Sequence, residues 1–299
     1  MKKFFTLILT ILIAGSGMCY GQKKMSVAEQ KRQLRAQIEQ RKQDIERLLR
    51  DRRKSIKTLE ATFRDRPLTK AEADSLALTY RQDSLYSKVY IQTLKDLREM
   101  EIKEWQASVE EALKDALQDA HAKTKAQQGD INRLTDLIYE GKANAAEYYD
   151  ILKRQTPEAR VQLYRLWEHE AKILEYDYLI QQEEQREAVS KLKNQIYQYA
   201  GYYPDLTGKS IAKLPTDPKA YDFINEINAD RKRFNAPLLT PKEEKKLMDM
   251  RDEASKKYNM TDVEKSENKR KLDLLNEGIE DLKEEFKDCP KCAELLKNL

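Results

Sequence analysis

Between residues 45 and 63 the chain places Ile45, Leu49, Ile56, Leu59 and Phe63 at intervals of three, four or seven residues. On an α-helix this spacing gathers the apolar side chains on one face; on a strand it scatters them over both. The pattern recurs at Leu76, Tyr80, Tyr90, Leu94, Leu97 and Trp105, and again at Val161, Tyr164, Trp167, Ile173, Tyr176 and Ile180. Little interrupts it, because only 8 of the 299 residues are Gly and 8 are Pro. A stripe this narrow, on a chain that is 36% charged, makes a seam between long helices and not one large round core. The periodicity also argues against a disordered chain, which lacks repeating apolar faces. The expected fold class is all-α: an elongated antiparallel helical hairpin or coiled-coil bundle with a smaller C-terminal helical module.

Helix starts are written in capping chemistry. A Ser, Thr or Asn accepts a backbone N–H bond at the helix start, and a Glu three residues on bonds back. Ser26 with Glu29, Thr69 with Glu72, Asn144 with Glu147, Thr240 with Glu243 and Thr261 with Glu264 fit that box. Thr156-Pro157, Asp217-Pro218 and Thr240-Pro241 add proline at the first helical position, where its missing N–H costs nothing. These signals predict long helices over about 26–64, 70–125 and 157–200, broken at Pro67 and around 127–130. Two short helices, 131–140 and 145–155, meet near Gly141. Helices at 219–235, 242–258 and 262–287 follow, with a last turn or two after Pro290. The resulting organisation is a signal peptide over 1–21, a coiled-coil body over 22–200, a linker over 201–218 and a C-terminal helical module over 219–299.

The chain begins MKKFFTLILTILIAGSGMCYGQKK. A charged start, an apolar run from Phe4 to Ala14 and small residues after it read as a secretory signal peptide. The run is too short to span a bilayer. Cleavage after Gly21 would start the mature chain at Gln22 in a periplasm or outside the cell. Lipidation of Cys19 is the alternative; Met18 before it departs from the small residue that bacterial lipoproteins carry there.

Enzyme chemistry finds little material. Two His are present, His121 and His169. Neither sits in a His-Glu-x-x-His or Glu-x-x-His pattern that would place metal ligands on one helix face. Gly208-Lys209-Ser210 ends like a phosphate-binding loop but lacks the earlier Gly, since Tyr203 stands there. No Gly-x-Ser-x-Gly elbow occurs. The reading is therefore no catalytic residue, no metal and no cofactor.

Cys289 and Cys292, in KDCPKCAELL, are the one pair of chemically reactive residues in the mature chain. A redox motif would want a preceding β-strand, and a zinc site would want four ligands. An oxidising compartment favours a structural disulfide, within the chain or between two copies.

Two surfaces stand out for partners. From Lys23 to Arg66 there are 15 Lys or Arg against 7 Asp or Glu, densest around Arg50, Arg52, Arg53 and Lys54. Of the 16 Tyr, several cluster near Tyr199, Tyr202 and Tyr203, beside Asp205, and tyrosine serves both seams and interfaces. The net charge is only +4, so a general polyanion binder is not implied, and export makes nucleic acid an unexpected partner. Arg52 in a seam position points to register or partner choice.

The expectation is a non-enzymatic scaffold or adaptor of a bacterial envelope assembly, of secretion or conjugation type. Its partners would be envelope proteins, a further copy of itself or an anionic envelope surface. The alternative is a periplasmic holdase chaperone whose basic helical arms cradle unfolded outer-membrane proteins.

Overall fold

A computed structural model describes residues 26–63, 68–118, 129–137, 145–200, 222–233 and 235–297. Within them there is no β-strand, and no helix is long and apolar enough to cross a membrane. The expected signal peptide, Cys19, His121, the breaks at Pro67 and Gly141, the 201–218 linker with Gly208-Lys209-Ser210, and Tyr202, Tyr203 and Asp205 lie outside the described residues. So do the side chains of Tyr148, Tyr149 and Tyr199.

The helices are α1 (Val27–Phe63), α2 (Lys70–Gln118), α3 (129–137), α4 (Ala145–Arg154), α5 (Pro157–Ala200), α6 (Asp222–Arg233), α7 (Pro241–Lys287) and α8 (Pro290–Lys297). At 1.5 Å per residue the 49 residues of α2 extend about 70 Å. Three capping boxes form as the sequence predicts, at Ser26–Glu29, Thr69–Glu72 and Thr240–Glu243. Thr156 also accepts the Ala159 N–H at 3.3 Å.

One expected boundary is absent. The chain from 241 to 287 is a single helix, not two. Thr261 does not cap a new start; its hydroxyl donates back to the Lys257 carbonyl at 2.8 Å inside the continuous helix. Tertiary contact decides this. Ala254, Ser255 and Thr261 are buried, and the Gln185 amide of α5 donates to the Tyr258 carbonyl and to the Asp262 carboxylate. A break there would uncover that face.

Ion pairs and clusters give the directions. Arg35, Arg41 and Arg53 of α1 meet Glu101, Asp96 and Asp83 of α2, so these two helices run antiparallel. Ser87 and Glu101 of α2 meet Glu183 and His169 of α5, again antiparallel. Lys191, Gln181 and Arg160 of α5 meet Glu253, Asn268 and Glu285 of α7. Helix α5 is therefore central. It packs on α2 along one side and on α7 along the other, while α1 packs on α2.

Four apolar clusters hold this arrangement. At one end Trp167 and Leu163 of α5 pack with Leu134, Leu152, Leu282 and Phe286, drawing in α3, α4, α7 and α8. At the other end Leu192 and Ile196 pack with Ile227 of α6 and Leu247 of α7. Between them Ile45, Leu49, Leu94, Leu97 and Ile180 join α1, α2 and α5. Tyr80 and Tyr197 stack at 5.7 Å beside Ile56 and Leu76. Each buried Leu or Ile contributes roughly 1.5–3 kcal/mol. The buried Tyr80, Tyr90, Tyr176 and Tyr197 put these tyrosines into seams.

A candidate docking groove above a buried charged row

Position 53 is where the apolar stripe of α1 is missing, between Leu49 and Ile56. Arg53 occupies it and turns inward. Its guanidinium donates to Asp83 at 3.3 Å, to Ser87 at 3.2 Å and to both carboxylate oxygens of Glu183. Ser87 and Ser190 complete the layer, donating to Glu183 at 2.6 Å and to Asp83 at 2.7 Å. Asp83 and Glu183 are each 1% exposed, a depth tolerable only because cation and hydroxyls saturate them.

This layer is one of a series. On α1 the residues Glu39, Glu46, Arg53 and Glu60 recur every seven positions. Each reaches inward: Glu39 accepts from Tyr176 at 3.1 Å, Glu46 from Tyr90, and Glu60 from Lys193 at 3.0 Å and from Tyr80. On α5, His169, Tyr176, Glu183 and Ser190 repeat with the same interval, and all four face α1 or α2 through polar bonds. A seven-residue interval keeps a row on one side of a supercoiling helix. The signal lies in charged residues, so apolar periodicity does not register it.

Burial and bonding shift these groups in opposite senses. Burial raises the Asp83 carboxyl above its ordinary range, against the pull of Arg53 and Ser190. Burial also pushes Glu101 up, but hydrogen bonds from His169 and Arg35 outweigh it and hold the carboxyl below the ordinary range. The Tyr90 and Tyr176 phenols are driven well above their usual range by burial and the facing glutamates, which keeps them as donors.

Glu101, Glu104 and His169 bring three potential metal-ligand atoms within 4.8 Å of one another. The Arg35 guanidinium already bridges both carboxylates, and His169 Nδ1 lies 2.5 Å from Glu101. The positive charge a metal would bring is supplied by the arginine, and three donors fall short of a closed site. This cluster is a cross-brace between α1, α2 and α5.

Because long side chains bridge α1 to α5, the two backbones do not close on each other. A groove of about 1040 Å³ opens between them. Tyr80, Asp83 and Tyr90 of α2 and Glu183 and Ser190 of α5 lie at its base, and Tyr258 of α7 borders it. Arg50, Lys54 and Lys57 of α1 line it and are exposed, with Arg186 on the α5 side.

The four cations singled out from sequence therefore divide. Arg50 and Lys54 face this groove. Arg53 is bound inside it. Arg52 points elsewhere, donating to Gln82 and lying 5.5 Å from the centre of the Tyr86 ring. Cys289 and Cys292 form a disulfide with each other. Cys292 is fully buried against the Trp167 end cluster and Cys289 half-buried beside it, so the bond anchors α8. Comparison with protein families, curated proteins and solved structures found no match.

Proposed function

We propose that this chain is a non-enzymatic helical scaffold or adaptor of a bacterial cell-envelope assembly, exported by its N-terminal signal peptide. The observation that carries the reading is the heptad row of polar contacts, in which half-buried α1 side chains bond to partners on α2 and α5. It fixes the register of three long helices while adding little stability, since buried ion pairs are poor stabilisers. A protein that must present surfaces at set distances needs such fixed register; a catalyst needs a concentrated reactive centre. The carboxylates of the row, each bonded to a neighbouring helix, suit the first need.

Affinity purification of the mature protein from native envelopes, with cross-linking and mass spectrometry, tests this. Recovery of a stoichiometric envelope partner is expected. Recovery of none, or of the protein in the cytoplasm only, argues against the reading.

One observation favours a second reading, the holdase chaperone. Leu48 of α1 and Leu78, Leu85 and Val89 of α2 are each about half exposed, and the three on α2 recur at helical spacing. Such apolar surface suits unfolded clients. Light scattering with an unfolded outer-membrane barrel protein separates the two, because a scaffold leaves its aggregation unchanged.

A further inference from the structure

We infer that the groove between α1 and α5 receives an acidic amphipathic helix of a partner protein; the inference rests on the scaffold reading and names the chemistry of one of its partners. Charge is the first argument. Arg50, Lys54 and Lys57 stand at i, i+4 and i+7 on one wall of α1, exposed, and none is bonded to a carboxylate among the described residues. The cations deeper in the groove are already matched, Arg53 by Asp83 and Glu183 and Lys193 by Glu60. The wall therefore carries positive charge left unmatched among the described residues.

Shape is the second. The α1 residues lining the groove run from Glu46 to Glu60, about 20 Å or four helical turns. Val189 and Tyr258, both half-buried, supply apolar and aromatic surface across from the charged wall, above the buried Leu49, Ile56 and Tyr90. A helix with one apolar and one acidic face meets both at once, as helix-in-groove recognition requires.

Spacing chooses this occupant over a phosphate-bearing lipid. The three cations are strung over roughly 10 Å of helix and do not converge on one point. Carboxylates at i, i+4 and i+7 of an opposing helix reproduce that ladder; a headgroup needs donors gathered around it.

The test uses the full mature protein and a fluorescent synthetic peptide of about 14 residues, with Glu along one helical face and Leu and Tyr along the other. A scrambled peptide of the same composition is the control. Fluorescence anisotropy should report binding near about 10 μM at low salt that weakens as salt rises. Charge reversal of the wall, Arg50→Glu with Lys54→Glu, should weaken binding about tenfold or more. Circular dichroism and Tm should change little, since neither side chain bonds to another described residue. Equal binding of the scrambled peptide, or no effect of the reversal, overturns the inference. Binding of phosphatidylglycerol vesicles or inorganic phosphate through these residues, with none of the peptide, also overturns it. A partner recovered from envelopes beside a failed peptide test defeats the groove inference alone. Peptide binding with no partner recovered defeats the scaffold reading alone.

Discussion

Arg53 on α1 and Glu183 on α5, 130 residues apart in the chain, form a two-pronged ion pair inside the bundle. The pair ties α1 directly to α5, as Tyr176–Glu39 and Lys193–Glu60 do above and below it. It also sets the distance between them, because a guanidinium and a carboxylate laid end to end hold the backbones further apart than packed leucines would.

Removing one member should cost more than the pair contributes. Arg53→Met leaves Asp83 and Glu183 buried without their cation and is expected to destabilise by about 3–5 kcal/mol. Adding Glu183→Gln to it should restore part of that loss. Urea unfolding of the two single variants and the double variant measures the coupling; strictly additive losses would mean that the two residues do not act as a unit.

Acid should loosen the cross-brace at Glu101. Its folded carboxyl titrates below the ordinary range, so its contribution is full above the unfolded value and is lost as pH falls through the lower folded one. Asp83, shifted the other way by burial, opposes this: its contribution is present at low pH and is lost as pH rises toward its raised folded value. Urea unfolding from neutral pH into the acid range should show a shallower pH dependence for Glu101→Gln than for the wild type. Equal slopes would remove Glu101 from the account.

Leu275 of α7 is fully buried in the Trp167 cluster. Leu275→Ala is expected to cost about 2–5 kcal/mol. Circular dichroism should show the loss in the main unfolding transition, because Leu275 shares its core with α5. A separate early transition with the main one unmoved would show that α7 unfolds independently.

The Cys289–Cys292 bond closes a very short loop, with a sequence separation of 3, for which chain entropy gives about 2 kcal/mol. A chemical reductant should lower Tm modestly and free both thiols for alkylation, read by peptide mass spectrometry. A non-reducing gel should show no dimer linked through either cysteine. A reductant-sensitive dimer, lost in a Cys289→Ser, Cys292→Ser variant, would contradict the intrachain bond.

Much of this architecture was legible residue by residue. The capping boxes at Thr69 and Thr240 and the proline at 157 mark helix starts, because capping is a contact within one turn of chain. Thr261 looked identical and failed, because Gln185 and the buried face of α7 lie on it from outside. The apolar spacing puts Arg52 in the seam, but it is Arg53 that turns inward. One residue of difference is about 100° around the helix, and it separates a side chain lying over Tyr86 from one bonded to Glu183. The docking of α7 along the whole of α5 had no local signal at all.

The sequence by itself determined the helices, their approximate limits and the narrowness of their apolar faces, since propensity, capping and periodicity act over one or two turns. It also held the heptad row of Glu39, Glu46, Arg53 and Glu60, though not its meaning. Only the tertiary structure decided which charges are buried and paired and which, like Arg50, Lys54 and Lys57, are left facing an open groove. Whether a charge is spent or available depends on what stands opposite it, and for Arg53 that neighbour, Glu183, comes from a distant part of the chain.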